Sequence, residues 1–125
     1  MISEAAAGAL EASALLGLIE RSLDDDKAVD PVTIDLTGKT AIADAMVVAS
    51  GTSQRHIAAM AEKLIDRLKG AGVGRCKAEG GADTDWVLID TGDVIVHLFK
   101  PEAREFYNIE RLWSTPAAVR LRANG

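Results

Sequence analysis

The chain has 125 residues, 48% of them hydrophobic and 26% charged, with a net charge of −5 and a single cysteine. That length suits one domain with a core of its own. The lone Cys76 leaves no partner for an intrachain disulfide, and an acidic balance argues against gripping phosphate backbones, which depends on Lys and Arg.

The charge is unevenly spread. Residues 1–99 carry nine basic and sixteen acidic side chains, a net −7, while residues 100–125 carry five and three, a net +2. Such a chain is better matched to a basic protein than to nucleic acid. Met1-Ile2-Ser3-Glu4 lacks the basic start of a signal peptide, and no apolar run is long enough for a bilayer, so the cytoplasm is the expected location.

Residues 3–23 predict a helix capped by Ser3, with Ala9, Ala12, Leu16, Ile19 and Leu23 at spacings of three and four. Asp24-Asp25-Asp26-Lys27 reads as a solvated loop. Residues 31–36 alternate as a strand with Val32, Ile34 and Leu36 inward, and Thr37-Gly38-Lys39 is a turn. Residues 44–50 form a nearly continuous apolar run that suits a central strand, with Asp44 at its entrance satisfying turn amides. Gly51-Thr52-Ser53 then opens a helix over about 54–69 that buries Ile57, Ala61, Leu64 and Leu68, with His56 exposed in its first turn and Gly70-Ala71-Gly72 as its stop.

Residues 75–79 are a short strand. The stretch from Asp85 to Phe99 is a hairpin, two apolar β-branched runs around Thr91-Gly92. With those two residues as the loop, Asp90 faces Asp93, Ile89 faces Val94, Leu88 faces Ile95, Val87 faces Val96 and Trp86 faces His97. Alternation puts Val87, Ile89, Val94, Val96 and Leu98 on one face, which is core. The other carries Trp86, Leu88, Ile95, His97 and Phe99, fringed by Asp90 and Asp93. That face suits either a cover of the protein's own helices or an anchor patch for a partner, since Trp is enriched at binding hot spots. Lys100-Pro101-Glu102 starts a last helix, with Phe106, Ile109 and Trp113 on one face. Ser114-Thr115-Pro116 ends it, dividing a domain over 1–116 from a tail over 117–125 in which Arg120 and Arg122 are exposed.

Chemistry is sparse. Two histidines and one cysteine share no local ligand spacing, so no metal and no cofactor are expected. Ser50 and Ser53 lack a nucleophile elbow, and Cys76 reads as a structural thiol. The competing enzymatic reading is a nucleotide binder or nucleotidyltransferase using the amides of Gly51-Thr52-Ser53. It needs converging carboxylates, whereas Asp83 and Asp85 sit at one end of the hairpin and Asp90 and Asp93 at the other.

The run from Thr40 to His56 closely resembles the first signature of the ribosomal silencing factor family, RsfS (Iojap). Glu79-Gly80, Trp86 through Asp93, Val96-His97, Pro101-Glu102, Arg104, Tyr107, Glu110 and Leu112-Trp113 match the second. The resemblance runs from about residue 3 to 114. It departs at Ala45-Met46, where the family often has an aromatic beside the aspartate, which bears on local packing. It implies an α/β (α+β) fold, a single domain with a mixed sheet of about five strands flanked by helices and similar to nucleotidyltransferases. It implies a binding protein, not an enzyme. Such a protein docks on ribosomal protein number fourteen of the large subunit and blocks joining of the small subunit when nutrients are scarce. It reads no nucleic acid directly, touches no membrane and is often a dimer when free. Trp86, Leu88, Asp90, Asp93, Ile95, His97 and Phe99 are the expected docking residues.

Overall fold

The computed structural model describes residues 11–81 and 83–113. Helix α1 (Ala12–Asp25) buries Leu15, Ile19, Ser22 and Leu23 along one face. The expected start of this helix, with Ser3 and Ala9, lies outside the described residues. Strand β1 (Val29–Asp35) is an edge strand broken by a bulge between Val29 and Val32, where Asp30 takes φ 48° ahead of Pro31. A proline belongs on an edge because it cannot donate to a neighbouring strand. Strand β2 (Ala45–Ser50) has all six residues buried, as its apolar run predicts. Helix α2 (Gln54–Gly70) buries Ile57, Met60, Ala61, Leu64 and Leu68.

Strands β3 (Lys77–Glu79), β4 (Trp86–Asp90) and β5 (Val94–Phe99) follow, then helices α3 (Pro101–Tyr107) and α4 (Ile109–Trp113). The five strands form one mixed sheet in the order β1-β2-β5-β4-β3. Only β2 and β5 run parallel; the other pairs are antiparallel. One face is covered by α1 and α2, whose leucines and isoleucines pack on Val47, Val87, Ile89, Val94, Val96 and Leu98. On the other face a smaller cluster of Ile34, Leu36, Ala43, Met46, Val48 and Phe99 takes in Ala103, Ile109 and Trp113 of α3 and α4.

Two expectations change here. The last helix is two helices, because Asn108 takes the left-handed conformation (φ 49°, ψ 47°) and breaks the path. Asn tolerates that region better than most residues. Ile109 and Trp113 pack inward while Phe106 is left 80% exposed, so the three do not share a face. The acidic run is solvated as expected at Asp24, Asp25 and Lys27, but α1 extends through Asp25, and Asp26 accepts from Arg67 at 3.0 Å with its side chain only 10% exposed. The boundary at residue 116, the tail 117–125 and the stop at Ser114-Thr115-Pro116 lie outside the described residues. No helix among the described residues is long and apolar enough to cross a membrane.

Candidate functional site

The hairpin sits two residues out of the register expected from its sequence. Trp86 pairs with Phe99, Leu88 with His97 and Asp90 with Ile95. The amide and the hydroxyl of Thr91 both donate to the carbonyl of Val94, at 3.0 and 2.6 Å, which draws Thr91 into the ladder. Gly92-Asp93 therefore forms the loop, with Gly92 at φ +93°, in the left-handed region that favours glycine. A shift of two leaves every side chain on the same face. The expected division of the hairpin into a core face and a mixed face thus stands, while the individual facing pairs are replaced.

The mixed face is half covered. Phe99 is fully buried and His97 is 6% exposed, so neither offers surface to a partner. Trp86, Leu88, Asp90 and Ile95 are half-buried and Asp93 is exposed. The rings of Trp86 and Phe99 lie 5.0 Å apart, and Tyr107 reaches over from α3 to within 4.7 Å of Trp86. Trp86 Nε1 donates to His97 Nδ1 at 3.1 Å. A ring nitrogen that accepts carries no proton, so His97 is neutral, and burial pulls its pKa down to about 4. Within the set named from sequence, His97 and Phe99 are the support and Trp86, Leu88 and Ile95 the reachable apolar part.

The two aspartates differ. Asp90 pairs with Arg75 at 2.9 Å and accepts the Gly92 amide at 2.9 Å, so its carboxylate holds the turn. The carbonyl of Asp93 accepts from the amides of Asp44 and Ala45, docking the turn against the entrance of β2, while its side chain points to solvent.

Beside Trp86 and Leu88 lies a cleft of about 260 Å³ whose other walls are Glu79 and Gly80. Gly80 has φ +98°, and a Cβ there would stand 2.5 Å from the Trp86 carbonyl, so only glycine lets the chain pass this close. Glu79 stands in register with Leu88, on the same face. Sequence reading omitted Glu79, Gly80 and Tyr107 from the site, although alternation along β3 and β4 would have placed Glu79 there once the register was known.

Several amides of the strand–helix junction are taken up within the chain. The Thr52 amide donates to His56 Nδ1 at 2.9 Å, the His56 amide to Ser53 Oγ at 3.1 Å, and the Ile57 amide to the Ser53 carbonyl. Of the three amides that the nucleotide reading invokes, Gly51 donates to the Phe99 carbonyl at 2.9 Å and Thr52 to His56 Nδ1, so an anion there would have to displace both acceptors. His56 is not exposed as expected: its Nε2 donates to the Asp26 carbonyl at 2.9 Å, tying α2 to the end of α1. Asp85 accepts from Gln54 at 2.7 Å, and no group of three potential metal ligands converges among the described residues.

A family model described as "Ribosomal silencing factor during starvation" matches residues 9–124. A Zymomonas mobilis protein named ribosomal silencing factor RsfS is 57% identical over 99 residues, 79% of this chain and 74% of its own length. A mouse protein named "Mitochondrial assembly of ribosomal large subunit protein 1" is 36% identical over 95 residues, 74% of this chain and 42% of the longer mouse protein. The crystal structure of a protein from Chromobacterium violaceum superposes with a TM-score of 0.79 at 37% identity, covering 83% of this chain and 87% of that one.

Proposed function

The chain belongs to the ribosomal silencing factor family, and we propose that it binds the large ribosomal subunit through ribosomal protein number fourteen of that subunit. Bound there, it stands in the way of the small subunit and lowers translation when nutrients are scarce. Its action is steric and needs no turnover. The observation that carries this reading is the half-open face of β3 and β4. Trp86 and Leu88 border a cleft there, with exposed carboxylates at Glu79, Asp83 and Asp93 on the same hairpin and its approach. An apolar anchor with Glu79 at its edge and further carboxylates at the two ends of the hairpin suits a basic protein surface, with the charges steering the encounter and the apolar groups holding it. The name of the mouse relative, which speaks of the ribosomal large subunit, points the same way. A second copy of the chain covering the same face when it is free of the ribosome belongs to this reading, as does a cytoplasmic location.

The test is co-sedimentation with isolated large and small subunits, followed by an assay of subunit joining. The chain is expected to pellet with large subunits alone and to prevent them from joining small ones. Failure to pellet at both low and moderate salt overturns the proposal.

A further inference from the structure

Helices α3 and α4 bury no residue completely; Ala103, Ile109 and Trp113 are only partly covered against the sheet. Yet α3 carries Tyr107, whose ring lies near both Trp86 (4.7 Å) and Phe99 (6.2 Å) and stands as a wall against the indole that lines the cleft. Weak packing alone would let this wall drift. Arg104 supplies the missing constraint. Its Nε and Nη2 donate to the two oxygens of Glu110 at 2.7 and 3.0 Å, and its Nη1 donates to Ser50 Oγ at 3.0 Å and the Val29 carbonyl at 3.2 Å.

One side chain thus joins α3, the first turn of α4 and the paired residues Val29 and Ser50 of β1 and β2. The Arg104 side chain is only 13% exposed, and the planar fork of its guanidinium fixes direction as well as distance. The backbone repeats the constraint, since the Asn108 amide donates to the Arg104 carbonyl at 2.9 Å and so sets the bend that follows Tyr107. Ser50 stands in register with Phe99, so the anchor point of Arg104 and the ring beneath Tyr107 belong to one row of the sheet.

We infer that Arg104 is a positioning residue for partner binding: its four side-chain bonds hold α3 and α4 so that Tyr107 stays over Trp86 and keeps the docking face in shape. The inference rests on the docking role proposed for that face, but the arrangement can be read without a ribosome. Of the two tryptophans in the chain, Trp113 is replaced by Phe so that fluorescence reports Trp86 alone. In that background Arg104→Ala and Arg104→Lys are compared with the parent. The Lys variant keeps a positive charge opposite Glu110 but cannot fork to Ser50 and Val29 as well, so it serves if the Ala variant does not fold.

The expected result is a red shift of Trp86 emission and easier quenching by acrylamide, with cooperative melting retained. Binding to large subunits is expected to weaken about tenfold, the scale of losing part of an anchor's surround. Emission and quenching unchanged in a folded Lys variant overturn the inference, because a residue serving stability alone would lower the melting temperature without uncovering Trp86. A parent chain that ignores large subunits overturns the docking reading instead, and the fluorescence then decides the positioning of Tyr107 on its own.

Discussion

The indole N–H of Trp86 ends on Nδ1 of His97, 3.1 Å away and on the next strand. One partner lines the open cleft and the other is buried at the centre of the sheet, so the bond links the surface a partner would touch to the protonation state of the interior. A proton on Nδ1 would remove the acceptor and place a charge among Trp86, Phe99 and the strands around them.

That relationship sets a pH dependence. His97 has a folded pKa of about 4 against an ordinary 6.5, so between those values the unfolded chain holds the extra proton and stability rises with pH. Acidifying from neutrality is expected to cost up to roughly 3 kcal/mol from this residue, mostly lost between pH 6.5 and 4. His97→Gln does not titrate and keeps an acceptor for the indole. The melting temperature of the Gln variant should therefore fall less than that of the parent between pH 7.5 and 4.5. Parallel curves would show that His97 does not carry the effect.

Leu88 separates docking from folding better than Trp86 does. It is half-buried at the border of the cleft, so Leu88→Ala is expected to cost roughly 1 kcal/mol of stability, about half the value for a fully buried leucine. If the face docks, affinity for large subunits falls about tenfold or more while the fold is kept. Trp86→Ala removes three ring contacts and the hydrogen bond to His97, and is expected to lose about 3 kcal/mol of stability as well as binding. Chemical denaturation beside a binding titration resolves the pair. Unchanged affinity in Leu88→Ala would remove the cleft from the interface.

The aspartates of the turn should behave differently from each other. Asp93→Asn is expected to slow association with large subunits and flatten its salt dependence, leaving the melting temperature where it was. Asp90→Asn should lower stability by about 1 kcal/mol by weakening the hold on Arg75 and Gly92. Stopped-flow rates at several salt concentrations check the first, and equal salt slopes for parent and Asp93→Asn would place that carboxylate away from the partner.

At the strand–helix junction a Cβ on Gly51 would meet Ile57 Cγ1 at 2.8 Å, Met60 Cε at 3.0 Å and His56 Nδ1 at 3.2 Å. Gly51→Ala is expected to cost about 1–3 kcal/mol through overpacking. Ser53→Ala should cost about 1 kcal/mol as a lost cap. Both variants, once folded, should still inhibit subunit joining. Loss of inhibition in well-folded Ser53→Ala would bring this junction into the interface.

Much of this architecture was legible because it depends on short-range periodicity. The buried run of β2, the stripe of α2 and the two faces of the hairpin all follow from spacing, and the faces survive even the wrong register because the error is an even number of residues. The register itself depends on the Thr91 side chain capturing a carbonyl, which no alternation reveals. The break at Asn108 was missed because Phe106, Ile109 and Trp113 fit a single helix; Asn as a left-handed helix terminator was the available signal. The ties made by His56, Asp26, Arg67 and Arg104 join segments far apart in the chain, and local pattern carries no trace of them. The division of the mixed face into supporting and reachable residues likewise awaited the position of α3.

The parallel join of β2 and β5 sets the order in which this protein can assemble. The β4–β5 hairpin closes over two residues and needs only local contacts, but residues 45–50 meet residues 94–99 only across α2, β3 and β4. Pairing over such a span is slow because a large loop must close before any contact rewards it. During synthesis the apolar β2 leaves the ribosome well before β5 exists, with β1 as its sole neighbour and one edge bare. A chain stopped before Val94 lacks the strand that pairs with that edge, and a bare apolar edge is a template for pairing with other chains.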